Sequence, residues 1–483
     1  MGSTMHRVDS PNRRGEHAVV LGAGMAGLLA ARVLSEFYDS VSVVERDRLP
    51  DYPCHRRGIP QGRHLHNFHS RGMQVLGELF PGLLDELARA GAVVVDDGEL
   101  SNFYVRSGPY EMKRSGKFAD PDALALLMAT RPFMEFHLRR RVKALPNVGF
   151  LDGHDVAELL TTAGIVNGVR IVRRYNGVLT TLDADLVVDA MGRGARTPAW
   201  LERLGYERPA EKRAEARFAY ASQQVSMPEG SIDQRLVMFN PGDGRPLGLL
   251  LANEHDTWML AIGQPTDTGY PPTDYAAMLA LAEPCLPPAI VGGLRRAHPI
   301  GEAVTHHHTA AIWRRYDQMS IFPSGLVVIG DALCSFDPTH GQGMTVAALE
   351  ALILRDCLHV GNFGLAQRYF RAASEVIGET WGANQARSRV TSPARDQSSI
   401  RQRLSRWLAL AALNAAAQDI VLTERFFRVT NFVDPPSRLQ DPALIPRILW
   451  GNLRAKFARK RQREVSRAAS PRPGTPAPAT VGY

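Results

Sequence analysis

The sequence predicts an α/β fold in which a Rossmann-like dinucleotide-binding domain is interleaved with a β-rich domain and followed by carboxy-terminal helices. Three observations carry this. Residues 17–45 read strand, glycine turn, helix, strand, in the span of one βαβ unit. Residues 205–322 hold strand-like runs at 235–239, 247–251 and 258–262. A buried parallel-strand pattern then returns at 325–330 (GLVVIG), and helical patterning runs from 343 to Pro471.

Residues 1–15 are expected to be a disordered arm: Arg7, Arg13 and Arg14 are followed by no apolar stretch of the kind a secretory signal needs. Residues 16–204 form the first part of the dinucleotide domain. They open with HAVVL, a β-branched strand, then GAGMAG, a helix over 25–37 and the strand VSVVE at 41–45. Residues 51–69, rich in Pro, Gly, Arg and His, read as an ordered loop before a helix through Leu76, Leu79, Leu83 and Leu87. A second helix is expected over about 122–142, which carries Leu124, Leu127, Phe133, Phe136 and Leu138, with Leu124 and Leu127, and Phe133 and Phe136, three residues apart. Short apolar runs between 148 and 188 predict strands, the last being ADLVVDAMG. Residues 205–322 form the β-rich domain, 323–395 the second part of the dinucleotide domain, and 396–468 a helical region. Residues 469–483, carrying PRPGTPAPAT, hold too little apolar area to fold.

With 483 residues, 45% of them hydrophobic and 22% charged, the chain has ample material for a large core, which excludes a small binding module, a disordered chain and a coiled coil. The net charge of +8 resides in the tails and leaves the body nearly neutral, so no nucleic-acid partner is expected. The segment 454–467 has seven basic residues against Glu464. It could attract anionic lipid, yet only Phe457 and Val465 are strongly apolar, and a solvated helix end is preferred to membrane contact. The longest uncharged helical run, 407–418, falls short of the roughly 20 residues a spanning helix needs. Cys54, Cys285, Cys334 and Cys357 show no CxxC spacing, which argues against disulfides and zinc and for a cytoplasmic location. His64, His66 and His306–His308 lack carboxylate or thiolate companions, so no metal is expected.

The chemistry begins at Gly22, Gly24 and Gly27. In a GxGxxG between strand and helix, the first glycine allows the tight turn, the second lets a pyrophosphate approach and the third lets helix and strand pack closely. Glu45, closing the second strand 18 residues later, can accept from ribose hydroxyls. The pattern alone serves NAD or FAD. A later segment, GDALCSFDPTHGQGMT at 330–345, places an acid after a strand and two glycines at the start of a helix, a second arrangement suited to polar cofactor groups.

Taken with Glu45-Arg46, Arg131 and the run Asp189 to Arg193, that segment resembles the second FAD fingerprint of the single-component class A flavoprotein monooxygenases, the aromatic hydroxylase-like family. The resemblance implies a Rossmann-like FAD-binding domain and a β-rich substrate domain. Asp331 would bind the ribityl chain, Gly341, Gln342, Gly343 and Met344 would line the isoalloxazine, and Arg131 would contact the flavin. The stretch from Arg57 to His66, with Gln61 and His64 as further cofactor contacts, is similar to a bacterial branch that contains polyether epoxidases. Cys334 and Thr345 depart from the His and Asn usual in aromatic hydroxylases, and Asp189-Ala190-Met191 departs from their usual Asp-Gly.

By that resemblance the chain would insert one oxygen atom from O2, through a flavin C4a-hydroperoxide, into an apolar biosynthetic intermediate. The flavin carries the chemistry, and no catalytic side chain is assigned. Alkene epoxidation of a polyketide or isoprenoid leads, because it needs no base and no base network is evident. Aromatic hydroxylation and prenyl-chain reduction are the alternatives, and a non-catalytic flavin-binding scaffold is the reading from another class. The WxWxIP pattern of tryptophan halogenases is absent. Without a second complete GxGxxG, the electrons of NADPH or NADH would arrive directly or through a flavin reductase.

Overall fold

The computed structural model describes residues 13–454 and 456, apart from 216–217, 243, 267–268, 307–309 and 392–399, and apart from the side chains of 387–391 and 400–406. Residues 1–12 of the arm expected over 1–15, the expected tail 469–483, His307, His308 and most of the basic run 454–467 lie outside the described residues. The chain is already tied down at Arg14, whose amide donates to the Phe37 carbonyl at 2.7 Å, and the first strand starts at Gly15.

The first sheet has five parallel strands in the order Leu326–Val328, Leu186–Asp189, Gly15–Leu21, Tyr38–Glu45, Val148–Asp152. Segments more than a hundred residues apart therefore share one sheet, with the returning strand at 326–328 taking an edge. Val19, Val20, Val187 and Val327 are wholly buried, as apolar runs covered on both faces require. Helices Met25–Leu34 and Gly343–Val360 pack against each other over the sheet, and the antiparallel strands His154–Thr162, Ile165–Arg173 and Leu179–Asp183 contribute Val156, Val169 and Ile171 to the same core.

A second sheet of seven strands runs His298–His306, Phe218–Ser226, Thr257–Pro265, Leu247–Ala252, Leu236–Asn240, Phe103–Ser107, Tyr110–Glu111. Three of its interior strands are those expected at 235–239, 247–251 and 258–262. The strands at 103–107 and 110–111 come from far upstream, and Phe103–Ser107 pairs parallel to Leu236–Asn240. One face carries Ala221, Leu260, Ile262, Leu250 and Val237, wholly buried in a core shared with Met278 and Leu294 of the two helices that follow. The other face meets His64 through Ser222 and the carboxy-terminal helix Ile420–Thr430 through Phe103, which packs on Phe427.

Two expected helices differ. The apolar run through Leu76 to Leu87 is split into Ser70–Leu79 and Leu83–Arg89 at Pro81-Gly82, where Gly82 takes φ +78°. Residues 122–142 are not one helix. Leu126–Met128 is a strand paired with Val93–Val95, and the helix starts at Arg131. Its start is fixed by Thr130, whose side chain accepts from the Phe133 amide, and by Pro132, which is tolerated in a first turn but not in a helix interior. The carboxy-terminal region is helical as expected, over Leu365–Thr391, Ile400–Ala416 and Ile420–Thr430. Among the described residues no helix is long and apolar enough to cross a membrane.

Candidate functional site

The first glycine motif divides its labour as its chemistry demands. Gly22 has φ +104°, and a Cβ there would lie 2.6 Å from the Ala190 carbonyl oxygen. At Gly27 a Cβ would fall 1.9 Å from the Gly22 oxygen, so the helix is pressed onto the turn. Gly24 differs: its nearest neighbours would be Ile59 Cδ1 at 3.8 Å and an Arg131 guanidinium nitrogen at 4.0 Å. A side chain at Gly24 would therefore project into the space between the turn and Arg131. Helix Met25–Leu34 begins there with no side-chain cap and no acid in its first turn, which leaves its first amides available to an anion.

Glu45 is buried. Its carboxylate accepts from the amides of Ala23 and Asp47, both at 2.9 Å, and faces Arg56 Nη1 at 3.2 Å. Arg46 is exposed. So is Arg57, and the arginine that enters the site is its neighbour Arg56: Nη2 donates to the Ala23 carbonyl at 3.0 Å and Nε to Glu135 at 2.7 Å. Burial works against the charge of Arg56, but Glu135 and Glu45 outweigh it and hold its pKa above the ordinary value. Glu135 also accepts from Arg131 Nε at 3.2 Å, one helical turn away. A continuous buried chain, Glu45–Arg56–Glu135–Arg131, thus connects the acid at the end of the second strand to the arginine beside Gly24.

The late motif arrives from the other side. Asp331 sits on a tight turn after the edge strand, and its pKa is raised by burial against the pull of Arg193, Arg131 and Arg314. A Cβ on Gly343 would lie 3.7 Å from Asp331 Oδ1, so the acid adjoins the start of helix Gly343–Val360. Gly341 takes φ +63°. Gln342 is 3% exposed, and its side-chain carbonyl has no hydrogen-bond partner. Met344 is buried beside it. Thr345 Oγ1 accepts from the His69 amide at 3.1 Å, and Glu350 of the same helix accepts from the Gly330 amide at 2.6 Å. Burial raises the Glu350 carboxyl to about 8 and lifts the Cys334 thiol well above its usual range, which makes that cysteine a packing residue. Asp189 is wholly buried and accepts from Met191 N and Thr197 Oγ1.

His64 follows the short turn Pro60–Arg63, in which the half-buried Gln61 accepts the His64 amide at 3.0 Å. The His64 ring meets the second sheet: Nδ1 lies 3.0 Å from Ser222 Oγ, and ring centroids of Tyr220 and His306 are 4.8 and 5.4 Å away. Burial, helped by His306, lowers its pKa to about 4, so the ring is neutral near pH 7. Burial and the charge of Asp337 raise the Tyr220 hydroxyl, opposed by Arg193, the same arginine that faces Asp331. The register places Ala261 opposite Ser222, Leu249 opposite Ala261 and Met238 opposite Leu249. Side chains at paired positions share a face, so Ala261, Leu249 and Met238, all half-buried, extend an apolar row from Ser222 across the sheet.

Sequence reasoning named Gly24, Arg131, Asp331, Gln342 and His64, which the fold brings into one region. It missed Arg56, Tyr220 and Ser222, and weighed His306 only as a metal ligand. For Tyr220 and Ser222 the only signal was the two-residue alternation of FAYAS. The cradle at Gly24, the uncapped helix start and the unpartnered Gln342 carbonyl suit a cofactor with a charged middle and a polar heterocyclic end, and so fit FAD.

No protein-family model matches the chain. Protein Rv3254 of Mycobacterium tuberculosis is 36% identical over 491 residues, covering 96% of this chain and 99% of its own length. Kynurenine 3-monooxygenase of Salinispora arenicola is 27% identical over 448 residues, 84% of this chain and 88% of its own. Among solved structures, flavin-dependent brominase Bmp2 superposes with a TM-score of 0.62 at 15% identity, over 92% of this chain and 100% of Bmp2. The p-nitrophenol 4-monooxygenase PnpA of Pseudomonas putida gives 0.60 at 16% identity, over 88% of this chain and 99% of PnpA. The fold is that of FAD-dependent monooxygenases and halogenases, and by near full-length similarity the chain belongs to the family of Protein Rv3254.

Proposed function

We propose that this chain is an FAD-dependent monooxygenase that inserts one oxygen atom from O2 into an apolar small molecule, with hydroxylation of an aromatic ring as its reaction. The observation that carries the reading is the convergence of the two glycine motifs on Arg131 and Asp331, beside the cluster His64–Ser222–Tyr220–His306. FAD, once reduced by NADPH or NADH directly or through a flavin reductase, would supply the activation of O2. The chain supplies the rest. The amides after Gly24 would hold the pyrophosphate, Glu45 a ribose and Asp331 the ribityl hydroxyls, while the Gln342 carbonyl and Met344 would meet the ring system.

The row Ala261, Leu249, Met238 offers an apolar wall that excludes water, and the His–Ser–Tyr cluster at its end can hold a substrate hydroxyl or amine. Kynurenine 3-monooxygenase and p-nitrophenol 4-monooxygenase are named for aromatic substrates, which supports the ring reading. A second reading, epoxidation of a polyketide or isoprenoid alkene, is favoured by the low basicity of His64 and by the resemblance over 57–66: an alkene needs no proton removed.

The test incubates the FAD-loaded protein aerobically with NADPH and a panel of phenols, anilines and polyenes. The proposal expects NADPH consumption that depends on substrate and a product heavier by one oxygen atom, formed from the aromatic members. Product only from polyenes would shift the assignment to epoxidation. Electrons passing wholly to hydrogen peroxide with every substrate would defeat both.

A further inference from the structure

The carboxy-terminal helices leave an apolar stripe facing solvent. Helix 445–454 is apolar on two sides. The first locks onto helix Ile400–Ala416: Ile448 is buried, a Cβ on Gly451 would touch Ala415 at 2.7 Å, and Asn452 Nδ2 donates to the Ala411 carbonyl at 2.8 Å. The second is about half open to solvent. Ile445, Leu449 and Leu453, at four-residue spacing, and Trp450 beside them are each 47–57% exposed. Trp407, one turn before Ala411 on the partner helix, is 58% exposed. A helix that is solvent-facing by design carries polar groups on that side. Exposed leucines beside a tryptophan instead match the interfacial layer of a bilayer, where an indole places its apolar body inward and its N–H in the headgroups.

Charge identifies the partner. Residues 445–456 contain no acid; of their basic residues Arg447 is paired with Asp419 at 3.0 Å, which leaves Arg454, whose guanidinium lies over the Trp450 ring at 5.2 Å, and Lys456 on the exposed side. The sequence continues with Arg459, Lys460, Arg461, Arg463 and Arg467 against Glu464 alone. A second copy of the chain would bring two basic stripes together, and like charge opposes that pairing. An anionic bilayer offers apolar depth and uniform negative charge without requiring a matched shape.

We infer that this face, Ile445, Leu449, Trp450 and Leu453 with Arg454 and Lys456, docks peripherally on an anionic lipid surface. Apolar side chains enter the headgroup boundary and the arginines and lysines pair with lipid phosphates. The chain lies on the bilayer without crossing it.

The experiment is co-sedimentation of the full chain with vesicles of phosphatidylcholine alone, or with about 30% phosphatidylglycerol. The inference expects binding to the anionic vesicles that is at least about tenfold weaker on neutral ones and weakened by about 0.5 M salt. The double variant Leu449→Ser/Leu453→Ser should reduce anionic binding by about tenfold or more, and Arg454→Glu/Lys456→Glu by a similar factor. Unchanged thermal unfolding would show that these exposed substitutions leave the fold intact. Tyr175→Ser, at an exposed hairpin elsewhere, should change nothing. Failure to bind anionic vesicles, binding unaffected by the leucine variant, or self-association in sedimentation equilibrium that the same variant abolishes would each overturn it.

Discussion

Arg56 and Arg57 stand side by side in sequence and in opposite environments. Arg56 is enclosed by Glu45, Asp47 and Glu135, while Arg57 faces water. Removing one partner from a buried ionic group leaves charge uncompensated, so Arg56→Ala should cost about 3 kcal/mol of stability and weaken FAD retention, whereas Arg57→Ala should stay within about 0.5 kcal/mol. Thermal unfolding and flavin content of the two variants check this. Glu350 gives a pH test. Its folded-state pKa of about 8 lies above the ordinary 4.5, so the folded state favours the protonated form; this contribution is complete below about pH 4.5 and is lost as pH rises toward 8. Glu350→Gln cannot ionise. Relative to the parent, its melting temperature should rise by a few degrees at pH 9 and show no such gain at pH 4, and parallel pH profiles of the two proteins would refute the assignment.

At the scale of elements, what was legible was local. The strand, glycine turn and helix at 17–34 declare themselves because each glycine answers a constraint within a few residues. Pro81 and Pro132 punctuate helices against the apolar spacing around them, and the strand at 126–128 has no local signal because its partner lies some thirty residues upstream. The contact between His64 and Ser222 joins positions 158 apart and depends on strand register: a shift of one residue would present Ala221 in place of Ser222. No inspection of the linear sequence could supply that pairing, and this is why the sequence suggested no polar network. If the cluster aligns a substrate hydroxyl, His64→Ala and Tyr220→Phe should retain flavin and NADPH oxidation while the yield of oxygenated product per NADPH falls by about tenfold or more. Product yield that keeps pace with NADPH oxidation in both variants would remove the cluster from the reaction.

Across the whole molecule, the interleaved order was readable because a parallel strand at 326–328 can be buried only by returning to the sheet begun at Gly15. The placement of the carboxy-terminal helices was not. They cover the second sheet, where Phe427 meets Phe103 and Phe118, three aromatic rings no local period connects. The account as a whole depends on two segments three hundred residues apart enclosing one FAD, and Gly24→Val tests it most directly. Reconstituted with FAD and desalted, the parent chain should hold close to one flavin per chain by its visible absorption. The variant should hold at least about tenfold less at unchanged far-ultraviolet circular dichroism, because its side chain occupies the space before Arg131. A parent chain that is folded yet colourless after reconstitution, or a variant as yellow as its parent, would contradict the account.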